Sequence, residues 1–352
     1  MDTKIDEMFY QTQVMLEQSY NPSLEMKAKM MGKEFLNLIG KPLPDLSFDW
    51  PMATLALALE EGYSKTRNHN FLDTLTSFYR FSLKKRKHFY FLDQIMNGYS
   101  LFFLWETNNE PWIEASLKNM YEYVSHYPPT STGGLPYRTD YPKNVLVDYL
   151  GMVCPFLSRY GKTFNCREAS RLAEGFLRDY LSHGMDRRTK LPYHGYRSDN
   201  FEKLSIIGWG RGVGWLLIGM VNTLAFLDRS SDEFPSLQND LNELINTIIQ
   251  FQDEKGYFKW MLSACEGHAD TSATSMIGYS IKRAVDLDLI ESKYIVYADR
   301  SLHAVLQSTD SGRVFDSLAD CDGIGKFPQH YGHNVWGQGF GTAFASVMME
   351  KK

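Results

Sequence analysis

Three charged residues stand alone in runs that are otherwise apolar. Asp148 is the only formal charge between Lys143 and Arg159, Asp93 the only one between Lys87 and Glu106, and Arg211 the only one between Lys203 and Asp228. An isolated carboxylate is expensive to bury, so such a residue is paired, protonated or part of a site. Loss of water raises a carboxyl pKa, which suits a general acid working near neutral pH. Two carboxylates brought together serve sugar chemistry, because one can protonate while the other stays ionised. The structural alternative is a pair of helix-start aspartates stabilised by the helix dipole.

Arg211 lies in Gly208-Trp-Gly-Arg-Gly-Val-Gly-Trp215, between glycines and flanked by Trp209 and Trp215. Its guanidinium suits bidentate binding of a carboxylate, or else neutralises Asp93 or Asp148 structurally. His194 follows Pro-Tyr and precedes Gly195, so it reads as a turn residue, useful only if its loop faces a site. Asp320-Cys-Asp322 with His330 and His333 offers ligand types for a metal, but the spacing matches no zinc signature, and no metal is expected.

The elements that position these residues alternate in character. Charge-poor stretches begin at Trp50, near Asp93, at Asp148, near Arg211, at Thr271 and at Asn334. Between them lie segments with one wet face, such as Pro111 to Val124, Arg167 to Leu177, Ser236 to Gln250 and Tyr294 to Gln307. Helices touched on every side are apolar all round, whereas outer helices show a stripe. About six of each kind, interleaved, predict an all-α fold, an (α/α)6 barrel with inner and outer rings, as a single domain over residues 1–352. The first helix is expected from about residue 3 to 20, closed by Asn21-Pro22, followed by a linker containing Lys41-Pro-Leu-Pro-Asp45. The basic run Lys84 to Lys87 reads as a solvated helix end. Thr271 to Ser275 reads as the capped start of an inner helix. In such a barrel the loops entering the inner helices gather at one end, so Asp93, Asp148 and Arg211 can face one cavity.

The totals fit this picture. At 352 residues and 43% hydrophobic, the chain can bury a large core. Its 7 Trp, 21 Tyr and 22 Phe favour a site with flat apolar faces, as in sugar-binding clefts. A net charge of -5 gives no electrostatic footprint for nucleic acid. The four cysteines, Cys154, Cys166, Cys265 and Cys321, form neither a metal pair nor a disulfide framework. No apolar stretch is long enough to span a bilayer and the first residues lack a secretion-signal profile, so a cytoplasmic protein is expected.

Five motifs in this order resemble the unsaturated rhamnogalacturonyl hydrolases of glycoside hydrolase family 105, which are related to the unsaturated glucuronyl hydrolases of family 88. They are Leu92-Asp-Gln-Ile-Met-Asn-Gly98, Val147-Asp-Tyr-Leu-Gly-Met-Val-Cys-Pro-Phe-Leu-Ser-Arg-Tyr-Gly161, Tyr193-His-Gly195, Trp209-Gly-Arg-Gly-Val-Gly-Trp215 and Trp336-Gly-Gln-Gly-Phe340. The resemblance runs from about Trp50 to the C-terminus and implies an (α/α)6 barrel. It implies that Asp148 is the general acid/base, that Asp93 is a second carboxylate assisting it, and that His194, Trp209, Arg211 and Trp215 contact substrate. The implied reaction is hydration of the C4=C5 double bond of a terminal unsaturated uronate, with no metal or organic cofactor. Departures lie on the sugar-recognition side: Val213 stands where the family has Asn, and Tyr137 where a histidine is expected. Asp49-Trp-Pro-Met-Ala53 lacks the usual Tyr and Asn.

The leading expectation is a hydrolase of unsaturated galacturonyl-rhamnose, acting on a small unsaturated oligosaccharide with neither nucleic acid nor membrane as partner. An unsaturated glucuronyl hydrolase, an α/α-barrel sugar epimerase using histidines for proton transfer, and a non-catalytic sugar-binding protein are the alternatives.

Overall fold

The computed structural model describes residues 2–21, 48–84 and 88–350. Twelve α-helices occur among them: α1 (Asp2–Tyr20), α2 (Trp50–Thr66), α3 (His69–Lys84), α4 (Gly98–Asn108), α5 (Pro111–Ser125), α6 (Asp148–Thr163), α7 (Arg167–His183), α8 (Gly210–Leu224), α9 (Glu233–Ile248), α10 (Thr271–Asp286), α11 (Ile295–Gln307) and α12 (Val335–Met348). The expected Pro-Leu linker at 41–45, and Lys85, Arg86 and Lys87 of the basic run, lie outside the described residues.

The even-numbered helices form the inner ring. Helix α2 packs on α4, and the 3-10 turn Leu92–Asn97 leading into α4 packs on α6; then α6 meets α8, α8 meets α10, α10 meets α12, and α12 returns to α2. These contacts close an (α/α)6 barrel. Composition drives the layering. Every residue of α8 from Gly210 to Leu224 is buried, as an inner helix touched on all sides requires. In outer helix α7 the buried residues Ala169, Ala173, Phe176, Leu177 and Tyr180 recur every three or four positions, leaving the opposite face wet. Close approach within the inner ring needs small residues: a Cβ at Gly151 of α6 would come within 2.7 Å of the Trp215 backbone oxygen in α8.

Helix α1 covers the seam between the first and last inner helices, packing on α2, α3 and α12. The Gln338 side-chain amide of α12 donates to the Met8 carbonyl at 3.2 Å and to Thr12 Oγ1 at 3.1 Å. Thr12 and Thr342 hydroxyls meet at 2.9 Å.

Short strands decorate the end where the inner helices begin. β1 (Asn144–Leu146), β2 (Tyr193–Arg197) and β3 (Lys203–Ile207) form an antiparallel sheet in that order, with Leu146 opposite Gly195. Two two-stranded ribbons follow later in the chain, β4 (Thr309–Asp310) with β5 (Arg313–Val314), and β6 (Ser317–Leu318) with β7 (Tyr331–Gly332). Among the described residues no helix is long and apolar enough to cross a membrane.

Candidate active site

A cavity of about 550 Å³ opens at the end of the barrel where the inner helices start. Its walls include Trp50, the first residue of α2, Asp148, the first residue of α6, and Trp209, Arg211 and Trp215 at the start of α8. The remainder comes from the segment before β1, from β1 and β2, and from residues 320–326 between β6 and β7.

Asp148 is nearly buried, at 9% exposure. Its Oδ2 lies 3.2 Å from His194 Nε2 but makes no aligned hydrogen bond. The sheet explains the proximity. The Val147 amide, one residue before Asp148, donates to the His194 carbonyl at 2.9 Å, so β2 is pinned to the entry of α6. His194 therefore sits on a strand and is buried, rather than on the turn its flanking residues suggested. Its Nδ1 has no partner among the described residues, and its ring packs on Trp209 and Phe327 at centroid distances of 4.7 and 5.6 Å.

Gly208 turns the chain from β3 into α8 with φ of +67°, a left-handed conformation that favours glycine. That turn delivers Trp209 and Arg211 to the cavity. Trp215, one turn further, packs edge-on against Trp50, ring centroids 5.6 Å apart. Trp50 in turn lies 5.3 Å from Trp336 of α12. Three indoles, of Trp50, Trp209 and Trp215, thus stand in the cavity wall beside Asp148, each largely buried by its neighbours.

Arg211 is 1% exposed. Its two terminal nitrogens donate to the backbone carbonyls of Leu318 and Ala319, each at 3.0 Å. The Trp209 and Trp336 rings lie 5.0 and 5.4 Å from the guanidinium carbon. Asp320 Oδ1, at 3.7 Å, is its nearest carboxylate among the described residues, not Asp93 or Asp148. Arg211 thereby ties the start of the 320–326 cavity wall to α8. The Leu318 carbonyl also accepts from Trp336 Nε1 at 3.1 Å, so two inner helices hold that wall.

Asp93, in the 3-10 turn ahead of α4, is buried and is not one of the cavity-lining residues. Its Oδ2 accepts from Arg138 Nη2 at 2.8 Å and from the Tyr137 hydroxyl at 3.5 Å, and both of those side chains line the cavity. The Arg138 guanidinium also lies over the Tyr137 and Phe91 rings, at 4.2 and 4.7 Å.

The structure thus gathers Asp148, His194, Trp209, Arg211 and Trp215 around one cavity and connects Asp93 to it through Tyr137 and Arg138. Trp50 was noted in the sequence as the start of a charge-poor helix but not as a site residue; Arg138 and Phe327 were not singled out, since they sit in loops without periodicity. Asp320, Cys321 and Asp322 of the weighed metal cluster line the cavity, whereas His330 and His333 do not. Burial pushes the Cys321 thiol up to about 12, so it is not a ready thiolate nucleophile.

Comparison with known proteins places this geometry in a family. The model of Glycosyl Hydrolase Family 88 matches residues 26–350. Unsaturated rhamnogalacturonyl hydrolase YesR of Bacillus subtilis is 26% identical over 326 residues, spanning 88% of this chain and 92% of its own. A possible member of the GH105 family from Salmonella enterica superposes with a TM-score of 0.83 at 18% identity, covering 98% of this chain and 92% of that one. An unsaturated glucuronyl hydrolase specific for heparin superposes with a TM-score of 0.73 at 13% identity, covering 99% and 97%. At such identities the superpositions speak for the shared fold, while the family match runs through almost every motif that lines the cavity. The chain belongs to glycosyl hydrolase family 88.

Proposed function

We propose that this protein hydrolyses a terminal unsaturated uronyl residue from a small pectin-derived saccharide, with unsaturated galacturonyl-rhamnose as the substrate. The observation that carries this reading is the placement of Asp148: a nearly buried carboxylate at the wall of an indole-lined cavity, beside His194, in a family 88 chain. The extended similarity to an unsaturated rhamnogalacturonyl hydrolase supports the choice of substrate.

The chemistry follows from a vinyl ether. Protonated Asp148 gives its proton to C4, and positive charge develops at C5 and the ring oxygen. The resulting carboxylate takes a proton from water as its oxygen bonds to C5, which restores the acid. The hemiketal so formed opens by breaking the bond from C5 to the ring oxygen. The anomeric carbon is left as a hemiacetal, which releases the neighbouring sugar as an alcohol. General acid/base assistance of this kind contributes about 10²–10⁴-fold. His194, 3.2 Å from Asp148, is placed to orient that carboxyl, and Trp209 and Trp215 stand in the apolar part of the wall.

We read the whole chain as one catalytic domain. Its four unpaired cysteines suit a reducing compartment, and we place the reaction in the cytoplasm.

The test follows the ultraviolet absorbance of the conjugated C4=C5 uronate with unsaturated disaccharides from rhamnogalacturonan, pectate and glycosaminoglycan lyases. Loss of absorbance fastest with the rhamnogalacturonan product is expected. Preference for a glycosaminoglycan product would move the substrate to the glucuronyl class. No loss with any of them would overturn the reading.

A further inference from the structure

Arg211 and Arg138 both reach the cavity, but they are committed differently. Arg211 spends its terminal nitrogens on the Leu318 and Ala319 carbonyls and is sealed between Trp209 and Trp336. Arg138 has a side chain 35% exposed, lines the cavity, and is held from behind. One Nη2–H goes to Asp93 at 2.8 Å, and Nη1 donates to the Tyr137 carbonyl at 3.3 Å. A guanidinium has five N–H donors in a planar fork, so Arg138 retains donors for a second anion. The aromatic rings of Tyr137 and Phe91 fix its plane. Lys326, the other cation of the wall besides these arginines, is 72% exposed and lies 4.0 Å from Asp322. It is neither shielded nor oriented.

A cavity wall that carries Asp320 and Asp322 as well repels a substrate carboxylate unless one cation is aimed at it. We propose that Arg138, oriented by Asp93, is the residue that binds the substrate's carboxylate, and that Arg211 instead fixes the 320–326 wall. This inference rests on the reading of the substrate as a uronate. It gives Asp93 a definite task, which is to position Arg138. It also gives meaning to the departure at Tyr137, whose ring lies against the Arg138 guanidinium and whose hydroxyl donates to Asp93.

The test compares the unsaturated disaccharide with its uronate methyl ester, in wild type, Arg138→Gln, Arg138→Lys and Arg211→Lys. In kcat/KM, wild type should favour the free carboxylate. Arg138→Gln should reduce that preference by about 10–100-fold, the range of a charge-assisted hydrogen bond, mainly through KM. Arg138→Lys should retain part of it, since charge remains but the fork is lost. Arg211→Lys should slow both substrates alike. Thermal unfolding of each variant checks that the comparison is between folded proteins, and the ratio of the two substrates cancels any general loss of active enzyme. An unchanged carboxylate preference in Arg138→Gln, or loss of the preference in Arg211→Lys alone, would overturn the assignment while the hydrolase reading stands. If wild type turned over none of the unsaturated uronates, the reading itself would fail and this assignment with it.

Discussion

His194 Nε2 approaches Asp148 Oδ2 to 3.2 Å because the Val147 amide is hydrogen-bonded to the His194 carbonyl. The imidazole and the carboxyl are thus fixed by one backbone contact between β2 and the entry of α6. Asp148→Asn retains the shape of the side chain but cannot deliver a proton to C4. Turnover should fall by about 10³-fold or more, while substrate binding and melting temperature stay near wild type. Steady-state absorbance decay and calorimetric titration with the unsaturated disaccharide measure the two separately. Turnover near wild type in this variant would remove Asp148 from its role.

Asp93 acts one step further from the substrate. Asp93→Asn keeps a side chain that can accept from Arg138 but removes the charge that holds the guanidinium. Its KM for the free uronate should rise about 10-fold, with a smaller change for the methyl ester. A loss confined to kcat, equal for both substrates, would instead make Asp93 a direct assistant of Asp148.

The barrel was legible because its inner helices differ in composition from the outer ones. The long apolar runs containing Asp93, Asp148 and Arg211 could be reconciled with folding only by burial on all sides, which is what an inner ring provides. Asp148 and Arg211 could be picked out for the same reason, as anomalies against an apolar background. The environment of His194 was not legible, since β1 has three residues and β2 five, too short for alternation to show, and the pairing that sets His194 beside the entry of α6 joins strands about fifty residues apart. The Asp93–Arg138 pair was hidden likewise, joining a helical turn to a loop 45 positions away with no local pattern to announce it. Arg211 showed as a lone buried cation, but its partners are backbone carbonyls, which leave no trace in side-chain identity.

Arg211 therefore makes a prediction about stability. Replacing it by Ala leaves the Ala319 carbonyl without its donor and the Leu318 carbonyl with Trp336 alone. The loss should be about 2–4 kcal/mol, from the unsatisfied buried acceptor and the vacated space between two indoles. Arg211→Lys should recover less than half, because an ammonium cannot span both carbonyls in one plane. Chemical denaturation gives the stability, and limited proteolysis within 318–327 reads the release of the wall. Full stability with an intact 318–327 segment in Arg211→Ala would contradict the clamp.

The opposite end of the barrel carries its own signature in pH. Glu60 of α2 is enclosed near Arg159, Glu61 and Arg283, and accepts from Ser100 Oγ at 2.9 Å. Burial pushes its carboxyl up to about 7; Arg159 opposes that and Glu61 adds to it. A carboxyl with a raised folded-state pKa contributes full stability below its unfolded value, near 4.5, and loses it as pH rises toward 7. The interval corresponds to on the order of 3 kcal/mol at most. Glu60→Gln keeps an acceptor for Ser100 but has no proton to lose. Measured from pH 4.5 to 8, the melting temperature of Glu60→Gln should gain steadily on wild type and level off above pH 7, where wild-type Glu60 is ionised. The difference between the two proteins isolates this one group from every other titration in the chain. A difference that stays constant across the range would show that Glu60 is already ionised at pH 4.5, held by Arg159 and Arg283 against its burial.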